Sequence, residues 1–517
     1  GYTYFRVRGT DQSRINMTIN GVPLNDSESQ SVFWVNMTDM VGSMSKMDVQ
    51  RGVGTSVNGA AAFGASVNMQ TELVHQNPYA EVAFNGGSYN TFRESVKAGT
   101  GLLKHGFSVD ARYSKVNSNG YVEHSNSDLH SYFVSGAWYG AKTMVKVLTF
   151  GGKERTGIAW DGISPTMWRD NPRYNGAGEY VDENGKMQYY KNNTDNYFQH
   201  HYQAHVSHIF NQKWSLNAAL HYTRGDGYTE QVKYAKHKDY ALQNYLDGDG
   251  NEVEKSNLVR RKYLSNDFYG GTIGAHFSAK SLKVAFGAAA SNYNGIHYGQ
   301  VLKMLDESYP NSVENYEYYR NRGDKFDFAK ANWEIVKGLS IYGDLQYRFV
   351  DYRLSGVNDE DLNEMSLHEQ FHFFNPKAGV SYSTKGHNVY ATFAMANREP
   401  TRKNYTECGP NDQPRHETLY DYEVGYSYSH KIFSIGANLY FMDYDNQLVL
   451  TGKLSDTGAA LTRNVKNSYR MGVELLAGVQ IAKCLRWDAN LTLSRNKILN
   501  YTDWVDDWYA DWNDPQV

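Results

Sequence analysis

Phe33 and Trp34 sit just behind a polar run, Asp26, Ser27, Glu28, Ser29 and Gln30. Two flat rings beside carboxylates, hydroxyls and an amide can stack on a bulky ligand and hydrogen-bond its edges, or the rings can pack a small core. Other arrangements look like metal sites and are set aside. In "LDGDGNEVE" (246–254), Asp247, Asp249 and Asn251 are spaced as in a calcium loop. Glu252, however, stands where the sixth-position glycine belongs, and the distal glutamate is too near. His200 and His201 are adjacent, so a strand sends their rings to opposite faces. The "HEQFH" run (368–372) is read as lacking the His-Glu-x-x-His spacing of zinc hydrolases and as solvated loop histidines. No Gly-x-Ser-x-Gly elbow and no phosphate-binding Gly-rich loop ending in Lys-Ser/Thr occurs, so no catalytic residue is assigned.

The elements that must position these residues are strands. The chain has 517 residues, with 52 Lys and Arg against 56 Asp and Glu and no long block of one sign, which gives no reason to expect nucleic acid as a partner. Cys408 and Cys484 form neither a metal nor a disulfide pattern. Tyrosine (42) and glycine (46) are abundant, and few Leu-, Ala-, Glu- and Lys-rich helical stretches appear. Mean hydropathy is −0.65. No run approaches the roughly 18 apolar residues of a membrane helix, so any membrane passage must use another architecture.

From about residue 79 the sequence alternates with period two. In "IFSIGANLYFMDY" (432–444), Phe433, Ile435, Ala437, Leu439 and Phe441 share one face, and Ser434, Gly436, Asn438, Tyr440 and Met442 share the other. "KWSLNAALHYT" and "RWDANLTLS" repeat the pattern. Many such segments run 11 to 18 residues, longer than the roughly 5–6 of globular strands and long enough for the roughly 9–11 of membrane strands. Connectors alternate between short (103–106, 211–213, 280–281, 337–338, 385–387, 482–483) and long (about 155–194, 227–262, 297–319, 355–370, 399–415, 450–462). Hairpins joined short on one side and long on the other thread an outer-membrane barrel. The fold class expected is therefore all-β, a transmembrane antiparallel β-barrel with about 17 strands in this chain. Single-chain barrels usually have an even number and must close, so further strands are expected beyond Val517.

Residues 1–76 read differently, as short strands with Gly-rich turns: "YFRVRG", "INMTINGVPLND", "KMDVQRGVG" and "ASVNMQTE". Gly52, Gly54 and Gly59 permit positive φ and close backbone approach, as a compact α/β unit inside a tube requires. "FRVRGTDQSRINMTINGVPLND" followed by "VQRGVGTSVNGAAAFGASVNMQTE" resembles the plug domain of TonB-dependent outer-membrane receptors. "NREPTRKNY" (397–405), "LYDYEVGYSY" (419–428) and "NVKNSYRMGVEL" (464–475) resemble barrel segments of that family, and "NPRYNGAGEYVDENG" (171–185) resembles versions found in Bacteroidetes.

The resemblance implies a barrel of 22 strands closed by an N-terminal plug, with the plug at 1–76 and the barrel at 77–517. The TonB box, signal peptide and first plug half would precede Gly1. It implies location in the outer membrane of a Gram-negative cell and TonB-dependent import of a scarce, bulky ligand: a ferric siderophore or similar metal complex, or cobalamin. The implied partners are the TonB complex of the inner membrane, outer-membrane lipid, a small-molecule ligand and an accessory surface lipoprotein. No cofactor or resident metal is expected. "NGVPLND" and "RGVGTSVNGAAAFG" depart from the "DGVP" and "LKDASATAIYGSRAANG" of SusC-like glycan importers, which stay as an alternative, with a barrel enzyme or adhesin behind them. By the same resemblance, Asp11, Gln12, Asp26, Glu28, Gln30, Phe33 and Trp34 lie at the plug tip facing the ligand. Arg8 and Arg51, each heading an Arg-Gly turn, would pair with the barrel carboxylates Glu399 and Glu423.

Overall fold

The computed structural model describes residues 3–53, 63–72, 74–280, 282–311, 313–337, 339–359, 361–408, 412–454 and 460–502. The chain forms two compact units, Gly1–Val380 and Ser381–Val517.

The first unit opens with a small sheet. Ile-Asn-Met-Thr-Ile forms β1 (Ile15–Ile19), and Asn20 and Gly21 end it with φ of 53° and 79°. Two successive positive φ values make the type I′ hairpin that an Asn-Gly pair favours. The chain returns antiparallel as β2 (Val22–Pro23). With β3 (Met44–Arg51) and β4 (Ala65–Thr71) the order is β2-β1-β4-β3, with β4 parallel to β1 and antiparallel to β3. Short 3-10 turns at Gln12–Arg14, Trp34–Met37 and Met40–Ser43 supply helical character. Gly52 takes φ 72° as expected, and Gly54 and Gly59 lie outside the described residues.

A wall of long antiparallel strands follows. In the first unit it comprises β5 (Tyr79–Gly87), β6 (Thr91–Gly99), β7 (Phe107–Ser118), β8 (Ser127–Tyr139) and β9 (Thr143–Gly157). A long connection then carries helix α1 (Pro165–Asp170) and the hairpin β10 (Glu179–Val181) and β11 (Met187–Tyr189). The wall continues with β12 (Thr194–Ile209) and β13 (Trp214–Lys236). After a second hairpin, β14 (Tyr245–Leu246) and β15 (Glu252–Val253), come β16 (Lys255–Ser278), β17 (Leu282–Met304), β18 (Tyr316–Lys337), β19 (Leu339–Val357) and β20 (Glu364–Thr384). The second unit holds β21 (His387–Arg398), helix α2 (Arg402–Thr406), β22 (Glu417–Ser429), β23 (Phe433–Leu454), β24 (Ala460–Ala482) and β25 (Leu485–Ile498). Among the described residues this gives twelve wall strands in the first unit, with β20 crossing the boundary, and five in the second.

Both parts of the wall are inverted relative to a soluble protein. Phe107, Val109, Val134, Leu220, Ile273 and Leu345 are exposed, whereas Ser108, Arg112, Ser131, Glu154, Gln203 and Asn266 are buried. The second unit repeats this, with exposed Val424, Leu439 and Leu475 against buried Asp421 and Glu474. An apolar outer face with polar residues turned inward is the pattern of strands that cross lipid. No described helix is long and apolar enough to span a membrane.

The loops are shorter than the alternation suggested. The segment expected as a loop at 227–262 is mostly ladder, paired as far as Lys236 with Lys255, and β17 and β18 likewise extend to Met304 and from Tyr316. Above the apolar belt a ladder still pairs its backbone groups, while polar side chains on both faces erase the period-two signal.

The N-terminal sheet packs on the inner face of the wall. Ile15, Met17, Ile19, Val67 and Met69 form one buried cluster with Phe133 of β8 and Leu148 and Phe150 of β9, each worth about 1.5–3 kcal/mol on full burial. Met17→Ala is therefore expected to destabilise this sheet by about 2–5 kcal/mol and leave the wall folded. Loss of protease protection confined to the N-terminal peptides would bear this out, and unchanged protection would refute it.

Candidate functional site

The functional side chains converge where the N-terminal sheet meets the polar face of the wall. One junction is built on Asp39, in the left-handed region at φ 58°, a conformation that Asp adopts more readily than most residues. Its Oδ2 accepts from Arg93 of β6 at 2.8 Å, Arg112 of β7 at 3.1 Å and Ser114 Oγ at 2.6 Å. Arg112 Nε also donates to Ser43 Oγ at 2.6 Å. A second junction follows β4: Glu72 is paired with Lys97 of β6, and Lys146 Nζ of β9 donates to Thr71 Oγ1 at 2.8 Å and to the Glu72 carbonyl at 3.2 Å. Charge pairing between plug-like sheet and wall was expected. The pairs seen here put the acids on the sheet and the bases on the wall.

A third junction uses the polar run after β2. Asn25 staples this loop to the sheet, accepting from Met17 N at 2.7 Å and donating to the Ile15 and Gln30 carbonyls at 2.9 Å. Asp26 Oδ1 accepts from Ser29 N at 2.8 Å and Glu28 N at 3.1 Å, closing a tight turn in which Gln30 takes φ 55°. The turn thrusts Glu28, 4% exposed, against β17, where its Oε2 accepts from His297 Nε2 at 2.7 Å and Tyr293 OH at 3.2 Å. Lys325 Nζ of β18 donates to the Ser27 carbonyl at 2.9 Å, and Asn266 Nδ2 of β16 reaches Asp26 Oδ2 at 3.4 Å. Burial first, and Glu28 second, push the Asp26 carboxyl above its ordinary range.

The expected ligand residues thus divide. Asp11 caps the Gln12–Arg14 turn, accepting from Ser13 N at 3.0 Å and pairing with Arg14. Gln12 is buried and donates to the Val32 carbonyl. Asp26 and Glu28 face the turn and the wall, and Gln30 is buried, its carbonyl accepting from Asn25. Trp34 packs on the sheet core 6.2 Å from Phe5, while Phe33 is 39% exposed. Arg8 takes φ 50° in a tight turn and Arg51 ends β3, both in the first unit. In the second unit Glu399 is 1% exposed, and Glu423 Oε2 accepts from Asn438 at 3.0 Å. Sequence reasoning missed Asp39, Arg93, Arg112, His297 and Tyr293. Alternation could have turned the wall residues inward but carried no sign of their partners.

The metal-like runs resolve into local structure. Asp247 Oδ1 accepts from Asn251 N at 2.8 Å and Asp249 N at 2.9 Å, which holds its carboxyl below the usual range and closes the β14–β15 hairpin. "HEQFH" does follow the order His-Glu-x-x-His, but that motif needs a helix to bring both rings together. Here it lies on a strand rather than in the expected loop, and four residues of strand span about 13 Å. His368 bonds Asp351 at 2.8 Å and His372 bonds Tyr347 OH at 2.7 Å. No group of three or more potential metal ligands occurs among the described residues. Cys408 and Cys484 are both free.

Comparison with known proteins agrees with this geometry. The family model "TonB dependent receptor-like, beta-barrel" matches residues 140–516, and "TonB-dependent Receptor Plug Domain" matches residues 1–66. No curated protein sequence matches the chain. Among solved structures, the copper transporter OprC is similar with a TM-score of 0.73 at 14% identity, over 96% of this chain and 77% of that one. The unliganded ferric citrate transporter FecA gives 0.72 at 14%, over 98% and 73%. The siderophore receptor PiuA from Acinetobacter baumannii gives 0.67 at 12%, over 96% and 73%. At such identities the likeness is one of fold.

Two outcomes follow from the junctions. Asp39→Ala leaves the guanidinium groups of Arg93 and Arg112 facing each other and is expected to weaken docking of the N-terminal sheet by about 3 kcal/mol. Asp39→Asn removes the charge but keeps an acceptor oxygen, so a urea midpoint well below that of the unaltered chain is expected for it too, and a midpoint equal to that of the unaltered chain would remove the charge argument. For Asp26 the raised carboxyl means that its contribution is complete below the ordinary aspartate value of about 4 and is lost as pH rises through the folded value. Protease protection of residues 15–32 should therefore fall as pH rises above the ordinary aspartate value, and Asp26→Asn should flatten that slope. An unaltered slope in Asp26→Asn would refute its assignment to this carboxyl.

Proposed function

The chain belongs to the TonB-dependent receptors of the outer membrane, and from that premise we propose that it imports a scarce, bulky, anionic metal complex such as a ferric siderophore. The observation that carries this reading is the excess of bases on the wall: Arg93, Lys97, Arg112 and Lys146, against Asp110 and Glu154, line the face on which the N-terminal sheet sits. When the sheet shifts, those four bases lie along the freed path, and an anionic cargo complements them. The family and its structural relatives are receptors and transporters, which supports transport over barrel enzyme or adhesin. Cobalamin is a second cargo within the same reading, and the departures from SusC-like plug motifs weigh against glycan import with a lipoprotein lid.

In this proposal residues 1–76 are the plug and 77–517 the barrel, TonB is the energising partner, and outer-membrane lipid meets the exposed apolar face. Arg8 and Arg51 remain proposed partners of Glu399 and Glu423. Phe33, with Trp160 and Trp168 exposed on the long connection after β9, supplies ring surface for the cargo. The test is tryptophan quenching of the full-length receptor with ferric citrate, ferric catecholate and hydroxamate siderophores, haem, cobalamin and oligosaccharides. Saturable binding of an iron complex, weakened about tenfold by Phe33→Ala, is the expected outcome. Binding of oligosaccharides alone would overturn the proposal.

A further inference from the structure

Glu28 occupies a slot in the wall that two cross-strand glycines open. Gly295 of β17 and Gly323 of β18 are direct cross-strand partners, and both face inward beneath the Glu28 carboxylate. A Cβ on Gly323 would collide with Glu28 Oε1, and one on Gly295 would meet Tyr293 and Glu28 Oε2. The paired glycines therefore make room for a side chain of another element, and His297 and Tyr293 on the same strand supply its hydrogen bonds.

The inner face of β17 does not end at the slot. Tyr293, Gly295, His297 and Gly299 follow one another at every second position. A Cβ on Gly299 would strike the rings of Tyr318 and Tyr319 at the start of β18. Those rings belong to a buried outer cluster with Tyr240, Leu258, Val301 and Tyr309. Val301 lies six residues beyond Gly295, about 20 Å along the strand. The segments around this cluster are tied together: Asn257 N of β16 donates to Asp306 Oδ2 at 2.7 Å, and Tyr309 OH to the Gln243 carbonyl at 3.2 Å. On the other side of the slot, Asn25 binds the Glu28 turn rigidly to β1.

We propose that Glu28 is a positioning residue for import, a hasp in the Gly295–Gly323 slot through which β17 and β18 couple the outer tyrosine cluster to the position of the plug sheet. The hasp is short, polar and charged, so water can replace its bonds when the sheet moves. The cluster and the turn at either end are stiff, so displacement at one is felt at the other. The import reading supplies only the consequence, that cargo engaging the outer cluster loosens the plug.

Hydrogen–deuterium exchange on the ligand-free, full-length receptor in detergent tests the coupling without any cargo. Glu28→Gln and Gly323→Ala are each expected to speed exchange of residues 24–32 by roughly tenfold, and to speed exchange in the peptides carrying Tyr309, Tyr318 and Tyr319 as well. Asp39→Asn, which loosens the same sheet at a different junction, should leave those outer peptides unchanged. Gly323→Ala keeps every charge of the slot, so it carries the test if Glu28→Gln fails to fold. Unchanged outer peptides in the slot variants, or an equal response in Asp39→Asn, would overturn the proposal, and either result is independent of the cargo panel.

Discussion

A strand wall facing hydrocarbon cannot leave a backbone N–H or C=O unpaired, and most other features of this chain follow from that. Long unbroken ladders such as β13 against β16, paired from Trp214–Phe277 to Lys236–Lys255, satisfy the requirement and consume most of the sequence. With the apolar side chains committed outward, the polar ones are turned to the other face. A structure that packs there meets serine, arginine, histidine and glutamine instead of leucine. The N-terminal sheet is held accordingly: an apolar patch reaches only Phe133, Leu148 and Phe150, and the remaining junctions are ionic or hydrogen-bonded.

On the import reading, that balance suits an element that moves. Burying apolar surface is favourable in proportion to area and offers no substitute when contact is lost. An ion pair or hydrogen bond is different, since water takes over each donor and acceptor as the partners separate and the net difference is about 0.5–1.5 kcal/mol per neutral bond. Three junctions, at Asp39, Glu72 and Glu28, therefore give a definite docked position with a modest cost of release. Their geometry is specific because each acid is presented from a constrained backbone: Asp39 at positive φ, Glu72 directly after β4, and Glu28 from a turn closed by Asp26.

The strands were legible because the outer face enforces period two. The alternation in 432–444 is borne out by β23, and the Asn20-Gly21 hairpin could be read from two residues. Loop boundaries were not legible, since above the lipid nothing selects one face as apolar while pairing continues. The junctions were hidden for a related reason. An inward arginine such as Arg112 looks like any lumen residue until a partner from sequence position 39 is placed beside it. Gly295 and Gly323 look like weak strand positions, and only the register that makes them neighbours shows a slot. The "HEQFH" run illustrates the converse, where a motif's letters are present and the strand beneath them separates its ligands.

The signs of the junctions constrain what could pass. Arg112 is almost fully buried beside Asp39, and an arginine in that setting is tolerable because a carboxylate lies within 3.1 Å. If the sheet withdraws, Asp39 and Glu72 leave with it, while Arg93, Lys97, Arg112 and Lys146 stay on the wall. Asp110 and Glu154 share that face, but the four cations outnumber them, and this excess of positive charge favours return of the acids until water or a counter-anion takes their place. A cargo bearing negative charge performs that replacement as it enters, lowering the cost of the open state most when it is needed. A neutral glycan gives no such compensation. On the import reading, the charge distribution at the plug junctions therefore acts as a filter on cargo charge, distinct from whatever the outer loops recognise.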